Sequence, residues 1–138
     1  DAPIVYKLHP DEYDRWERDY PWLVDAPVSV IDSSEPGLYD CFAGAEVQVG
    51  VGCTALYEGL AFGLHTYLVD LPTVQWMAPL LDAGEATLVE SADELATEVA
   101  DPRRSPVAYE HYFEPNAVEN VTNTLDRLLA EATLASDG

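Results

Sequence analysis

Two short runs hold residues whose types and spacing suit binding chemistry: Lys7-Leu8-His9-Pro10, and Gly52-Cys53-Thr54 with Glu58 close behind. Gly52 lets backbone or ligand approach closely, because it carries no Cβ. Cys53 and Thr54 fall where a helix begins, and the first amides of a helix have no partner within it, so they can hold an anion such as a phosphate. Thr54 is the stronger phosphate candidate and doubles as an N-cap, whereas Cys53 is the weaker one. Glu58 lies four residues on, on the same face of the helix. Its carboxylate can accept two hydrogen bonds from vicinal hydroxyls, as a ribose offers. Lys7 is the chain's only lysine. It is read either as a ligand contact or as a strand-edge cation paired with a carboxylate. His9 can donate to a phosphate or sugar oxygen, or cap the helix that opens at Pro10. Asp70, at the end of a strand, is a lesser candidate, and His65 and His111 read as structural or surface residues.

The elements that must position these residues follow from periodicity and punctuation. Residues 46–72 read as strand, glycine turn, helix and strand. Val47, Val49 and Val51 alternate, Leu56, Leu60 and Phe62 mark the helix, and Gly63 stands at its C-cap. Two strands joined by one helix over so short a span form a parallel βαβ unit. Around it, strands are expected at residues 3–8, 28–31 and 86–89. Helices are expected at 10–23, with Tyr13, Trp16 and Tyr20 at helical spacing and Pro21 ending or kinking it, and at 35–45, with Leu38, Phe42 and Tyr39 inward. Further helices are expected at 73–83, with Trp76, Met77, Leu80 and Leu81 as its stripe, at 91–100, opened by a Ser91 capping box, and at 116–132. Residues 101–105 read as a polar loop and 106–115 as irregular. Strand and helix thus alternate five times, which predicts a single α/β domain over residues 1–138. Its fold would be a doubly wound, Rossmann-like parallel five-stranded sheet of order 2-1-3-4-5, with helices on both faces. The switch point would fall between the first and third strands, bringing His9 beside Gly50–Thr54.

Composition narrows the partners. Of 138 residues, 26 are acidic and only 6 are Lys or Arg, a net charge of −20, and the acids are spread along the whole chain. Such a charge argues against nucleic acid or an anionic membrane surface as partner. It is the pattern of a halophilic protein, whose repulsion concentrated salt screens. Cys41 and Cys53 show no metal-ligand spacing and read as buried free thiols in a reducing cytoplasm. No metal site is expected. No run approaches the ~18 apolar residues of a membrane span. The start, DAPIVYKLHP, has no leader pattern and reads as a cut from a longer chain.

Taken together, KLHP and GCTALYEGLAFGLHTYLVDLP resemble the C-terminal, donor-binding half of GT-B-fold glycosyltransferases of surface-polysaccharide biosynthesis. Lys7, His9 and Pro10 match a strand ending in K-x-H-P. Thr54, Tyr57, Glu58, Leu60 and Gly63 match a turn followed by Y-E-A-L-x-x-G-K-P, and residues 112–129 are similar to the closing helix. The resemblance implies that His9 contacts the donor phosphates and serves catalysis there. It implies that Thr54, with the backbone of Gly52 and Cys53, holds the diphosphate, and that Glu58 binds the ribose. The substrate would be a nucleotide-sugar, with no separate cofactor. The partner would be a missing N-terminal acceptor-binding domain, without which this half is inactive, and the location would be the cytoplasm or the inner face of the membrane. Gly59 stands for the usual alanine, Leu64-His65 for Lys-Pro, and Gly50 where many retaining enzymes carry the first Glu of E-x7-E. A non-hydrolysing nucleotide-sugar 2-epimerase shares the fold but has a D-S-G-G-x-x-E-E turn. A receiver domain needs acids where His9-Pro10 and Gly50–Gly52 stand. A non-catalytic nucleotide-binding or interaction module is the remaining alternative.

Charge repulsion yields the first prediction. The melting temperature should rise as salt goes from about 0.1 M to about 3 M, where the Debye length falls from about 10 Å to under 3 Å. A melting temperature flat across that range contradicts salt adaptation.

Overall fold

In a computed structural model, residues 3–100 and 111–136 are described; the irregular stretch expected at 106–110 and the loop at 101–105 lie outside them. The chain divides into two compact units, Asp1–Arg104 and Ser105–Gly138. The first is a mixed α/β unit, with strands β1 (Val5–Lys7), β2 (Ser29–Ile31), β3 (Val47–Gly50), β4 (His65–Val69) and β5 (Ala86–Val89). Its helices are α1 (Trp16–Asp19), α2 (Pro21–Val24), α3 (Leu38–Ala43), α4 (Ala55–Leu60), α5 (Ala78–Asp82) and α6 (Ala92–Ala100), with 3-10 turns at Pro10–Glu12 and Val74–Met77. The second unit carries α7 (Ala117–Ser136), with Val118, Val121, Leu125, Leu128 and Leu129 exposed along it.

All strand pairs are parallel, but they form two sheets, β1-β2 and β3-β4-β5, rather than one sheet of five. Tyr6 lies opposite Val30 in the first, Val49 opposite Tyr67 and Leu68 opposite Leu88 in the second. The orders 2-1 and 3-4-5 are present within them; the expected ladder between β1 and β3 is absent. That join is the one no short crossover enforces. β1 is only three residues long, Ile4 and Val5 are exposed, and the chain passes through β2 and α3 before β3 begins.

The expected helix 10–23 is also broken, into the Pro10–Glu12 turn, α1 and α2. Pro21 has no N–H and disfavours helical geometry at Tyr20, which sits at φ −128°, ψ 58°. The aromatics at 13, 16 and 20 are half-buried and use their polar tips. Lys7 Nζ donates to the Tyr13 hydroxyl at 2.8 Å, Trp16 Nε1 to Asp32 at 3.1 Å, and the Tyr20 hydroxyl to Glu12. Helix ends follow the sequence more closely. Gly63 and Gly84 both have positive φ, and in each case the next residue donates back to close the helix, Leu64 N to Gly59 O at 3.2 Å and Glu85 N to Leu80 O at 2.8 Å. Ser91 Oγ accepts from Glu94 N at 3.2 Å, opening α6 as expected. The Glu94 carboxylate, however, takes the N–H of Glu90 rather than that of Ser91.

The core gathers Leu8, Leu23, Leu56, Leu60, Leu68, Met77, Leu80 and Val89. Two residues expected to face inward, Tyr39 and Trp76, are exposed instead. Among the described residues two buried polar groups sit with the apolar side chains, Thr66 on β4 and Gln48 on β3. Its Nε2 donates to Leu56 O in α4 at 2.7 Å and to Thr66 Oγ1 in β4 at 2.8 Å. Gly59 makes the room for it, since a Cβ there would lie 2.1 Å from Gln48 Oε1.

Gly59→Ala should therefore destabilise by about 1–3 kcal/mol, although alanine is the better helix former by about 1 kcal/mol. In a Gln48→Ala background the same substitution should become neutral or stabilising. Equal effects of Gly59→Ala in both backgrounds, measured by denaturant unfolding, would rule out the clash.

Candidate functional site

Gly52, Cys53 and Thr54 form the turn between β3 and α4, at the carboxyl end of β3. Cys53 and Thr54 are exposed. Tyr57 and Glu58 N–H groups return to Thr54 O at 3.0 and 3.3 Å, and Leu56 N–H to Cys53 O at 3.2 Å. Among the described residues, the N–H groups of Gly52, Cys53 and Thr54 donate to no protein acceptor. Thr54 is not the side-chain cap expected. Its backbone is already helical (φ −64°, ψ −25°), so its hydroxyl makes no capping bond and stays available. Cys53 is a free thiol, as is Cys41, but Cys53 is exposed and Cys41 half-buried, so neither is the buried thiol expected.

Thr73 completes the turn and was not singled out by sequence. It holds φ 89°, rare for a β-branched residue. A Cβ on Gly52 would lie 2.8 Å from Thr73 O and 2.9 Å from its Oγ1, so only glycine fits at 52. Backbone strain of this kind costs about 1–3 kcal/mol and gathers at ligand sites. No local pattern marks it, since Thr73 reads as the first residue of an ordinary helix over 73–83.

Glu58 sits one turn into α4, half-buried. It lies close enough to the Tyr39 hydroxyl of α3 to raise the tyrosine pKa above its usual value. Sequence reasoning took Tyr39 for a core residue; 58% of it is exposed.

Lys7 and His9 are placed otherwise. Lys7 Nζ donates to the Tyr13 hydroxyl and to Ser33 O and lies 5.0 Å from the Tyr13 ring centroid, so it fastens the end of β1 to the loop after β2. His9 is the N-cap of the Pro10–Glu12 turn. Its Nδ1 accepts from Asp11 N at 3.3 Å, while Glu12 Oε2 accepts from His9 N at 2.9 Å. An accepting Nδ1 puts the proton of neutral His9 on Nε2, leaving that N–H as a donor on an exposed ring. No hydrogen bond or ion pair among the described residues joins this group to the Gly52–Glu58 group. Asp70 is exposed at the end of β4, its N–H held by Val89 O at 2.9 Å.

A shallow depression lined by Asn120, Val121, Thr124 and Leu125 runs along α7 in the second unit, and none of the site residues lines it. Among the described residues no cluster of His, Cys, Asp or Glu could hold a metal ion, and no helix is long and apolar enough to cross a membrane. Comparisons with known protein families, with curated proteins and with solved structures each find no match.

The His9 cap depends on charge. The Tyr20 hydroxyl chiefly, then the His9 amide and the charge of Arg15, hold the Glu12 carboxyl below its ordinary value of 4.5. A lowered carboxyl pKa stabilises the fold above about pH 4.5 and loses that contribution as pH falls through the lower, folded value. The melting-temperature gap between wild type and Glu12→Gln should thus be widest above pH 5 and close in stronger acid. A gap constant from pH 7 to pH 3 contradicts the assignment.

Proposed function

We propose that this chain is the donor-nucleotide-binding half of a glycosyltransferase that uses a nucleotide-activated sugar in polysaccharide or glycoconjugate synthesis, with a Rossmann-like arrangement of its parallel strands. The observation that carries the reading is the β3–α4 turn, where three consecutive unpaired N–H groups, the free Thr54 hydroxyl and a carboxylate one turn away lie on one parallel βαβ unit. The N–H groups and hydroxyls suit a diphosphate, which needs short-range donors. Glu58 suits the ribose diol. Since α4 has only six residues, its dipole adds little, and the donors of the turn must supply most of the binding.

In this reading Gly52, Cys53 and Thr54 hold the phosphates, and His9 offers its Nε2–H to the departing phosphate once the acceptor-binding half is in place. Lys7 acts by fixing the end of β1 rather than by touching ligand. Activating the acceptor hydroxyl requires a general base, which the missing domain supplies. A second reading, a nucleotide-binding module without catalysis, draws support from His9 being already engaged as a cap.

Thermal shift in about 3 M salt against UDP, GDP, CDP, CMP, TDP and ADP tests the proposal. One nucleotide at a hundredfold its Kd should add about 2.7 kcal/mol of stability. Glu58→Ala and Thr54→Val should remove most of that gain. His9→Asn, which keeps a capping side chain, should diminish it only if His9 touches phosphate. Absence of any shift across the panel would retire the donor-site reading.

A further inference from the structure

Three aromatic rings cluster beside Glu58. Tyr39 and Phe42 come from α3, and Phe62 from the turn that closes α4. Tyr39 and Phe62 centroids are 5.5 Å apart, as are Phe42 and Phe62, and Tyr39 and Phe42 are 6.4 Å apart. Phe42 is buried and anchors the group, while Tyr39 is 58% and Phe62 42% exposed. Single exposed aromatics are ordinary surface features. Here two adjoin a carboxylate, Phe62 by its place four residues after Glu58 and Tyr39 by lying close enough for Glu58 to raise its pKa.

We propose that Tyr39 and Phe62 form the stacking surface for the base of a ribonucleotide whose ribose hydroxyls are accepted by Glu58. This deepens the donor-site reading and rests on it. An ionised carboxylate has about four lone-pair positions, so Glu58 can accept both hydroxyls of a diol with the Tyr39 hydroxyl beside it. Phe62 follows Glu58 by four residues, and Ala61 between them is helical (φ −65°, ψ −19°). The two side chains are therefore about 6 Å apart along α4, a step that suits a ribose and its attached base. Aromatic faces stack on any base, whatever its hydrogen-bonding edge. Two rings are far too small a patch for a stable protein interface, which covers about 800 Å² per partner.

The test is calorimetric titration of the whole chain in about 3 M salt. The probes are the nucleoside diphosphate that stabilises it most and ribose 5-phosphate, which has the sugar and phosphate without the base. Phe62→Leu, which keeps an apolar side chain at an exposed position, and Tyr39→Leu should each weaken nucleotide binding about tenfold. Neither should alter the binding of ribose 5-phosphate. Tyr39→Phe, which keeps the ring and loses only the hydroxyl, should stay within about twofold of wild type. Nucleotide affinity unchanged in Phe62→Leu and Tyr39→Leu would overturn stacking while leaving the donor site standing. So would a tenfold loss in Tyr39→Phe, or an equal loss for ribose 5-phosphate. No nucleotide binding by wild type would overturn both proposals.

Discussion

Everything around the β3–α4 turn depends on a buried amide. Gln48 ties three elements at once, since its own strand, the carbonyl of Leu56 in α4 and the hydroxyl of Thr66 in β4 all meet at its side chain. A buried polar group left unpaired costs about 1–3 kcal/mol, so the fold is held to the one register in which both acceptors are in reach. That register brings α4 so close to β3 that Gly59 can carry no side chain. It also sets where the helix begins, just after Gly52, Cys53 and Thr54, whose N–H groups have no acceptor among the described residues. Hydrophobic burial by Leu56, Leu60 and Leu68 supplies the bulk of the cohesion there, but it is not directional and would tolerate a helix slid along the sheet.

The charge of the chain governs what kind of anion site is workable. A surface at −20 repels phosphates at long range. The one lysine does not offset this, because its ammonium is engaged with Tyr13 and Ser33. In concentrated salt the long-range field collapses within a few ångströms, while hydrogen bonds at contact distance persist. Backbone N–H groups and threonine hydroxyls are therefore the donors that keep their worth under such conditions. A turn built from Gly52, Cys53, Thr54 and Thr73, with no basic side chain, is consistent with a protein for which salt bridges to ligand would be weak.

Local signals made the individual elements of the first unit legible. Alternation placed β3, β4 and β5 to within two residues, glycines at 63 and 84 marked two helix ends, and the Ser91 capping pattern marked the start of α6. What failed was non-local. Whether β1 pairs with β3 depends on contacts between segments about forty residues apart, which no window of sequence contains, and the two sheets are the result. The same limit hid Thr73, which packs against Gly52 from beyond β4, and Tyr39, which lies beside Glu58 of another helix. His9 failed in a different way. Both of its roles, cap and ligand contact, were readable from the residue before Pro10, and only geometry showed that Nδ1 is already taken.

That assignment bears on how labour is divided in the proposed enzyme. A general base must hold a free lone pair near the acceptor hydroxyl. Neutral His9 has used its lone pair on Asp11 N–H, leaving a donor only, and Glu12 is engaged by Tyr20 and the His9 amide. Glu58 lies beside the Tyr39 hydroxyl, and in the proposed reading its carboxylate holds the ribose hydroxyls. Under the proposed function, then, the polar groups of this chain are arranged to grip a donor and stabilise a departing phosphate. The proton must be taken by a group carried on the acceptor side. Gln48, by tying β3, α4 and β4 together, holds the turn that would do the gripping in one geometry.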